Sequence, residues 1–98
     1  LSGKVIKKVY VACDAGMGSS AMGASILRKK MKEAGFDDIE VKNVSIPSLP
    51  EDVDIVVTHK SLTDRAIAVR QNAIHYSVEN FLEGEQYDAI IEKIKEIR

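Results

Sequence analysis

The chain has a single cysteine, two prolines, no tryptophan and no long apolar run. One cysteine cannot form an internal disulfide, so the sequence predicts a protein of a reducing, cytoplasmic compartment rather than a disulfide-stabilised secreted domain. No segment is both apolar and long enough to cross a bilayer. The 14 basic residues nearly balance the 15 acidic ones, which gives no indication of a nucleic-acid-binding surface.

What is present is enough for one hydrophobic core, because 45% of the 98 residues are hydrophobic. We therefore expect one domain over residues 1–98, with residues 1–3 a linker or a cloning remnant outside the fold. Short runs rich in β-branched residues predict four strands, at residues 5–12, 39–44, 53–58 and 73–76. Helical spacing predicts a first helix over residues 20–34 that ends at Gly35, and a last helix over residues 86–98.

A short helix should also lie between the third and fourth strands, since Ser61 and Asp64 have the spacing of a capping box. Strands that alternate with helices predict an α/β fold in which right-handed crossovers build a parallel sheet. We expect four strands in the order 2-1-3-4 with helices on both faces, resembling half of a Rossmann fold or the core of a low-molecular-weight phosphatase. Ligands bind where the winding direction reverses, here between strands 1 and 3. Cys13, Thr58 and His59 should therefore lie close together, with residues 45–49 as a further wall.

A glycine-rich loop follows Cys13 and leads into the first helix. In such a turn the backbone N–H groups converge on one point and the helix adds its positive dipole end, so the site favours a phosphate or a thiolate. We interpret Cys13 as a nucleophile. The candidate phosphate-binding residues are the seven that follow it, namely Asp14, Ala15, Gly16, Met17, Gly18, Ser19 and Ser20. A purely structural cysteine would not explain the glycines and serines beside it.

Three known kinds of anion site share parts of this pattern. Residues 16–21 match the dinucleotide fingerprint G-x-G-x-x-A, but no acidic residue ends the second predicted strand. A cysteine followed after five residues by Ser19 and Ser20 is similar to the loop of low-molecular-weight tyrosine phosphatases, with serine in place of their phosphoryl-binding arginine. A thiolate that can capture a phosphoryl group, in a loop poor in groups for hydrolysis, suits a phosphoryl carrier. A cysteine phosphatase and a non-catalytic regulatory anion-binding module are the alternatives.

The stretch from Cys13 to Ala24, Cys-Asp-Ala-Gly-Met-Gly-Ser-Ser-Ala-Met-Gly-Ala, resembles the cytoplasmic B domain of the mannitol-specific enzyme II of the bacterial phosphoenolpyruvate-dependent sugar phosphotransferase system. The resemblance extends through residues 49–59 and 62–66. It implies a phosphotransferase in which Cys13 takes a phosphoryl group from a phosphohistidine A domain. The group then passes to mannitol bound by a membrane-embedded C domain, giving mannitol 1-phosphate.

The resemblance also implies a location at the inner face of the cell membrane, through the C domain. We expect no metal or cofactor, no nucleic-acid partner and a monomeric isolated domain. His59 stays outside the catalytic set, and His75 is expected to be structural. Met17 and Met22 are candidates for an apolar rim on which a partner docks, with a core position as the alternative for each. Arg70 is expected to be solvated or to meet an acidic partner.

Overall fold

The computed structural model describes residues 6–13, 19–82 and 84–97. In this part of the chain four strands form one parallel sheet in the order β2-β1-β3-β4. The strands are β1 (Lys8–Cys13), β2 (Glu40–Ser45), β3 (Ile55–His59) and β4 (Ile74–Val78). The described part of the chain also contains the helices α1 (Ser19–Glu33), α2 (Thr63–Val69) and α3 (Glu85–Ile97), and a 3₁₀ helix at Ile46–Ser48. The predicted fold class and strand order are confirmed.

Helices cover both faces of the sheet, as predicted. Successive side chains of a strand point to opposite faces, so the two central strands contribute to two cores. The core beneath α1 and α3 contains Val9, Val11, Leu27, Ile55, Val57 and Ile90, and the core beneath α2 contains Tyr10, Ala12, Leu49, Val56 and Ala66. Because β1 and β3 are buried on both sides, their central runs at residues 9–12 and 55–57 do not alternate with polar residues.

The end of α1 follows the glycine signal in the sequence. Gly35 has a positive φ of 87°, a conformation that side chains with a Cβ rarely adopt. Its N–H donates to the Lys32 carbonyl at 3.1 Å, and the N–H of Phe36 donates to the Met31 carbonyl at 2.9 Å. These two bonds form a Schellman motif, which satisfies carbonyls at the helix end and turns the chain toward β2.

The capping-box prediction for α2 is wrong, since among the described residues no side chain caps the helix that begins at Thr63. The Ser61 N–H instead donates to Nδ1 of His59 at 3.1 Å. The Thr63 hydroxyl donates to the His59 carbonyl at 3.2 Å and lies 2.8 Å from the Thr58 hydroxyl and 2.6 Å from that of Ser77. Contacts with β3 and β4 therefore hold the start of α2.

Strand β4 extends two residues beyond the predicted end at residue 76.

The expectation for Arg70 is wrong as well. Its Nε donates to the Pro50 carbonyl at 2.9 Å, and a second guanidinium nitrogen donates to the Leu49 carbonyl. The backbone carbonyl of Arg70 lies 2.6 Å from Nε2 of His75 on β4. Arg70 thus joins the loop before β3 to the end of α2, and His75 has the structural position predicted for it.

Candidate functional site

The thiol of Cys13 contacts the first turn of α1. It donates a hydrogen bond to the hydroxyl of Ser20, with Sγ 3.0 Å from Oγ. Cys13 is partly exposed, whereas Ser20 is fully buried. The N-terminal turn of a helix carries partial positive charge, so this position favours an ionised sulfur. On ionisation the hydrogen bond reverses direction, because a thiolate only accepts and the serine hydroxyl can donate.

Most of the predicted loop lies outside the described residues. This applies to Asp14, Ala15, Gly16, Met17 and Gly18, and to the side chain of Ser19. The structure brings together the first and last members of the predicted site and places the backbone of Ser19 at the start of α1.

Strand pairing places further polar side chains beside Cys13. On one side Cys13 is aligned with Ser45, the last residue of β2. On the other side Ala12 is aligned with Thr58, so His59 follows at the adjacent position of β3. The parallel strands end together at this edge of the sheet, which confirms the predicted proximity of Thr58 and His59 to Cys13.

The neighbours of His59 determine which ring nitrogen carries its proton. The Ser61 N–H donates to Nδ1, and the Ser61 hydroxyl lies 2.7 Å from the same nitrogen. A backbone N–H can only donate, so the hydrogen-bond pattern assigns Nδ1 as an acceptor and places the proton of the neutral ring on Nε2. His59 therefore offers a donor beyond its own turn, and its exclusion from the catalytic set stays a prediction.

Two large apolar side chains are exposed in the segments next to this edge. Met22, two residues after Ser20 on α1, is 57% exposed, so the core alternative for it is wrong. Leu82, in the turn between β4 and α3, is 51% exposed. Leu82 was not predicted from the sequence, where its one signal is that it forms an apolar pair with Phe81 inside a polar turn. Met17 lies outside the described residues.

Two surface grooves lie at the opposite edge of the sheet from Cys13. One, of about 410 Å³, lies between the end of α1 and the start of β2 and is lined by Arg28 and Phe36 among others. The other, of about 340 Å³, lies near Val53 and Asn72, before β3 and β4. Neither includes a residue of the candidate site.

Within the described ranges no three His, Cys, Asp or Glu side chains are grouped to hold a metal ion. The helices there also lack the combination of length and apolar character that a membrane span requires.

A thiol at the switch point of a small parallel sheet, bonded to the first turn of the following helix, defines a small α/β domain with a cysteine at a strand-to-helix turn. The sequence model of the family described as "PTS system, Lactose/Cellobiose specific IIB subunit" matches residues 8–93. The chain belongs to this family of phosphotransferase-system IIB domains. As a IIB domain, it is a phosphotransferase domain.

Similar proteins carry the name "PTS system mannitol-specific EIICB component". The protein from Bacillus subtilis (strain 168) is 60% identical over 95 residues, which are 97% of this chain and 20% of the relative. The one from Geobacillus stearothermophilus is 61% identical over 90 residues, 92% of this chain and 19% of the relative. The one from Staphylococcus aureus (strain COL) is 56% identical over 90 residues, 92% of this chain and 18% of the relative. These relatives confirm the resemblance to the mannitol branch, and the chain spans about a fifth of their length.

Proposed function

We propose that Cys13 accepts a phosphoryl group from a phosphohistidine A domain and passes it to mannitol bound by a membrane-embedded C domain, giving mannitol 1-phosphate. The observation that carries this proposal is the hydrogen bond between the Cys13 thiol and the buried Ser20 hydroxyl at the start of α1. The family description names lactose and cellobiose, whereas the relatives at about 60% identity are named for mannitol. The closer similarity favours mannitol as the acceptor. The C component in the names of these relatives favours a cytoplasmic location at the inner face of the membrane.

The first transfer forms a sulfur–phosphorus bond. The Cys13 thiolate attacks phosphorus, the bond from phosphorus to the histidine nitrogen of the donor breaks, and that nitrogen keeps the electron pair and takes up a proton. Attack requires the ionised sulfur, which the positive end of α1 and the Ser20 hydroxyl stabilise.

The second transfer breaks the sulfur–phosphorus bond. A mannitol hydroxyl oxygen attacks phosphorus, its proton leaves to a base of the acceptor domain, and the electron pair of the broken bond returns to Cys13 as thiolate. The hydrogen bond from Ser20 stabilises this leaving group, so one contact serves both steps. We assign the phosphoryl oxygens to the loop: Asp14, Ala15, Gly16, Met17, Gly18 and Ser19.

Intact-mass measurement after incubation with a histidine-phosphorylated A domain tests the first transfer. The mass of the chain should rise by one phosphoryl group, and Cys13→Ser should remove the acid-labile thiophosphate adduct. Ser25→Ala is a matched control, because it replaces an exposed serine of α1 outside the candidate site. An unchanged mass of the wild-type chain would contradict the proposal.

Membrane vesicles that contain the C domain without its own B domain test the second transfer. Phosphorylated chain should convert labelled mannitol, but not galactitol, to the sugar phosphate. Rapid turnover of an aryl phosphate that depends on Cys13 would instead favour a phosphatase. Tight anion binding that survives Cys13→Ala, with no covalent adduct, would favour a regulatory module.

A further inference from the structure

Side chains that follow β4 pack directly on the first turns of α1. Tyr87 of α3 is fully buried, and its hydroxyl donates to the Phe81 carbonyl at 2.7 Å. Gly23 of α1 is buried against these two residues. A Cβ on Gly23 would lie 2.5 Å from Oη of Tyr87 and 3.1 Å from two carbons of Phe81. Glycine therefore lets α1 approach α3 more closely than any residue with a side chain would.

The Tyr87 oxygen is a fixed obstacle, because burial and its hydrogen bond leave it little room to move. Burial raises the pKa of Tyr87 to about 12, so the hydroxyl stays protonated and keeps its donor role at neutral pH. Ordinary contact with a Cβ begins near 3.4 Å, against the 2.5 Å found here. A methyl group at position 23 would therefore move the helix and the tyrosine apart by about 1 Å, the difference between these two distances.

Such a movement would reach the candidate site, because Gly23 follows Ser20 by three residues. Residues three apart lie on the same face of a helix, and both are buried. The Ser20 hydroxyl lies 3.0 Å from the Cys13 sulfur, on a different element of the fold. A displacement of the first turns of α1 relative to β1 therefore changes this distance directly.

We propose that Tyr87 is a positioning residue for Cys13: it holds α1 at Gly23 and so sets the Ser20 hydroxyl against the sulfur. The catalytic part of this inference rests on the proposed phosphoryl transfer. The geometric part concerns the thiol alone and can be measured without a partner protein.

The test is a double-mutant cycle with Gly23→Ala, Tyr87→Phe and the combined variant. Gly23→Ala should slow phosphoryl transfer by about tenfold to 100-fold, the range expected for misplacement by about 1 Å. It should also move the midpoint of Cys13 alkylation by iodoacetamide to higher pH, because Ser20 then stabilises the thiolate less. Tyr87→Phe removes the obstructing oxygen, so the combined variant should recover most of both losses. The 3.1 Å contacts with Phe81 account for the remainder.

Gly84→Ala is the matched control. A Cβ on Gly84 would meet the flexible end of Lys30 at 3.2 Å, a contact that the lysine can relieve. Its alkylation profile should coincide with that of the wild type. Thermal unfolding of every variant separates loss of stability from a change at the thiol.

Three results would overturn the positioning role. The first is a Gly23→Ala variant with a lower melting temperature but a wild-type alkylation profile. The second is a combined variant as slow as Gly23→Ala. The third is a combined variant that does not fold, since removal of the oxygen should make room for the methyl group. A wild-type chain that accepts no phosphoryl group contradicts the proposed function instead, and the alkylation series still decides the geometry.

Discussion

Replacing Ser20 by alanine should raise the pKa of the Cys13 thiol. The change removes one fully buried hydroxyl oxygen and leaves the Cβ and the helix intact. In the wild-type protein that hydroxyl lies 3.0 Å from Sγ and can donate to the thiolate. The variant loses this donor and keeps the contribution of the helix dipole, so the experiment separates the effect of the hydroxyl from that of the helix.

The expected size follows from the strength of a hydrogen bond to a charged group. Such a bond contributes about 1.5–3 kcal/mol, and one pKa unit corresponds to about 1.4 kcal/mol. The pKa of Cys13 should therefore rise by about 1–2 units in Ser20→Ala. The reference value of cysteine is about 8.5, and helix N-termini lower it to about 3.5–7.5. The wild-type midpoint should fall below the reference value and that of the variant should approach it.

The rate of alkylation by iodoacetamide, measured across a pH series, gives both midpoints. Ser25→Ala is the control, because Ser25 is exposed on the same helix. It changes the same chemical group without approaching the sulfur. Superimposable profiles for wild type and Ser20→Ala would refute the assigned role of Ser20. A wild-type midpoint above the reference value would show that desolvation of the thiolate outweighs the helix and the hydroxyl.

Three further changes test the fold at the edge of the sheet opposite the site. Arg70→Lys should lower the free energy of unfolding by about 1–3 kcal/mol in urea titrations, since lysine cannot reach both loop carbonyls as the guanidinium does; an unchanged midpoint would contradict this. Gly35→Ala should lower the free energy of unfolding by about 1–2 kcal/mol through its positive φ alone, because the added methyl group meets no atom within 4 Å. An unchanged melting temperature in thermal unfolding would show that this strain is absent. The Tyr10 hydroxyl donates to Glu40 and holds the pKa of that carboxyl below its usual value of 4.5. The hydrogen bond therefore stabilises the folded protein above pH 4.5, and this stabilisation is lost as the pH falls through the lower pKa of the folded state. The difference in stability between wild type and Tyr10→Phe should therefore shrink in acid, and a constant difference from neutral to acid pH would count against it.

The architecture could be predicted from sequence because its signals are local. The apolar run at residues 55–57 indicates a strand covered on both faces, and Gly35 indicates the end of the first helix. With right-handed crossovers, these elements leave few strand orders, and the observed order is among them. The proximity of Cys13 and Ser20 could also be predicted, since the two residues are seven apart and belong to one strand-to-helix turn.

Interactions between distant segments could not be predicted in this way. The capping-box spacing of Ser61 was misleading, because the hydroxyls of neighbouring strands hold the start of α2 in its place. Arg70 appears in sequence as one more charged residue, yet it bonds carbonyls about twenty positions away.

The sequence by itself determined the fold class, the strand order and the position of the thiol, because periodicity and turn chemistry act over a few residues. Only the tertiary structure decided how the helix beside that thiol is seated. Within the helix, Gly23 is merely a residue of low helical propensity. Glycine is needed at this position because the hydroxyl of Tyr87, 64 positions later in the chain, leaves no room for a Cβ.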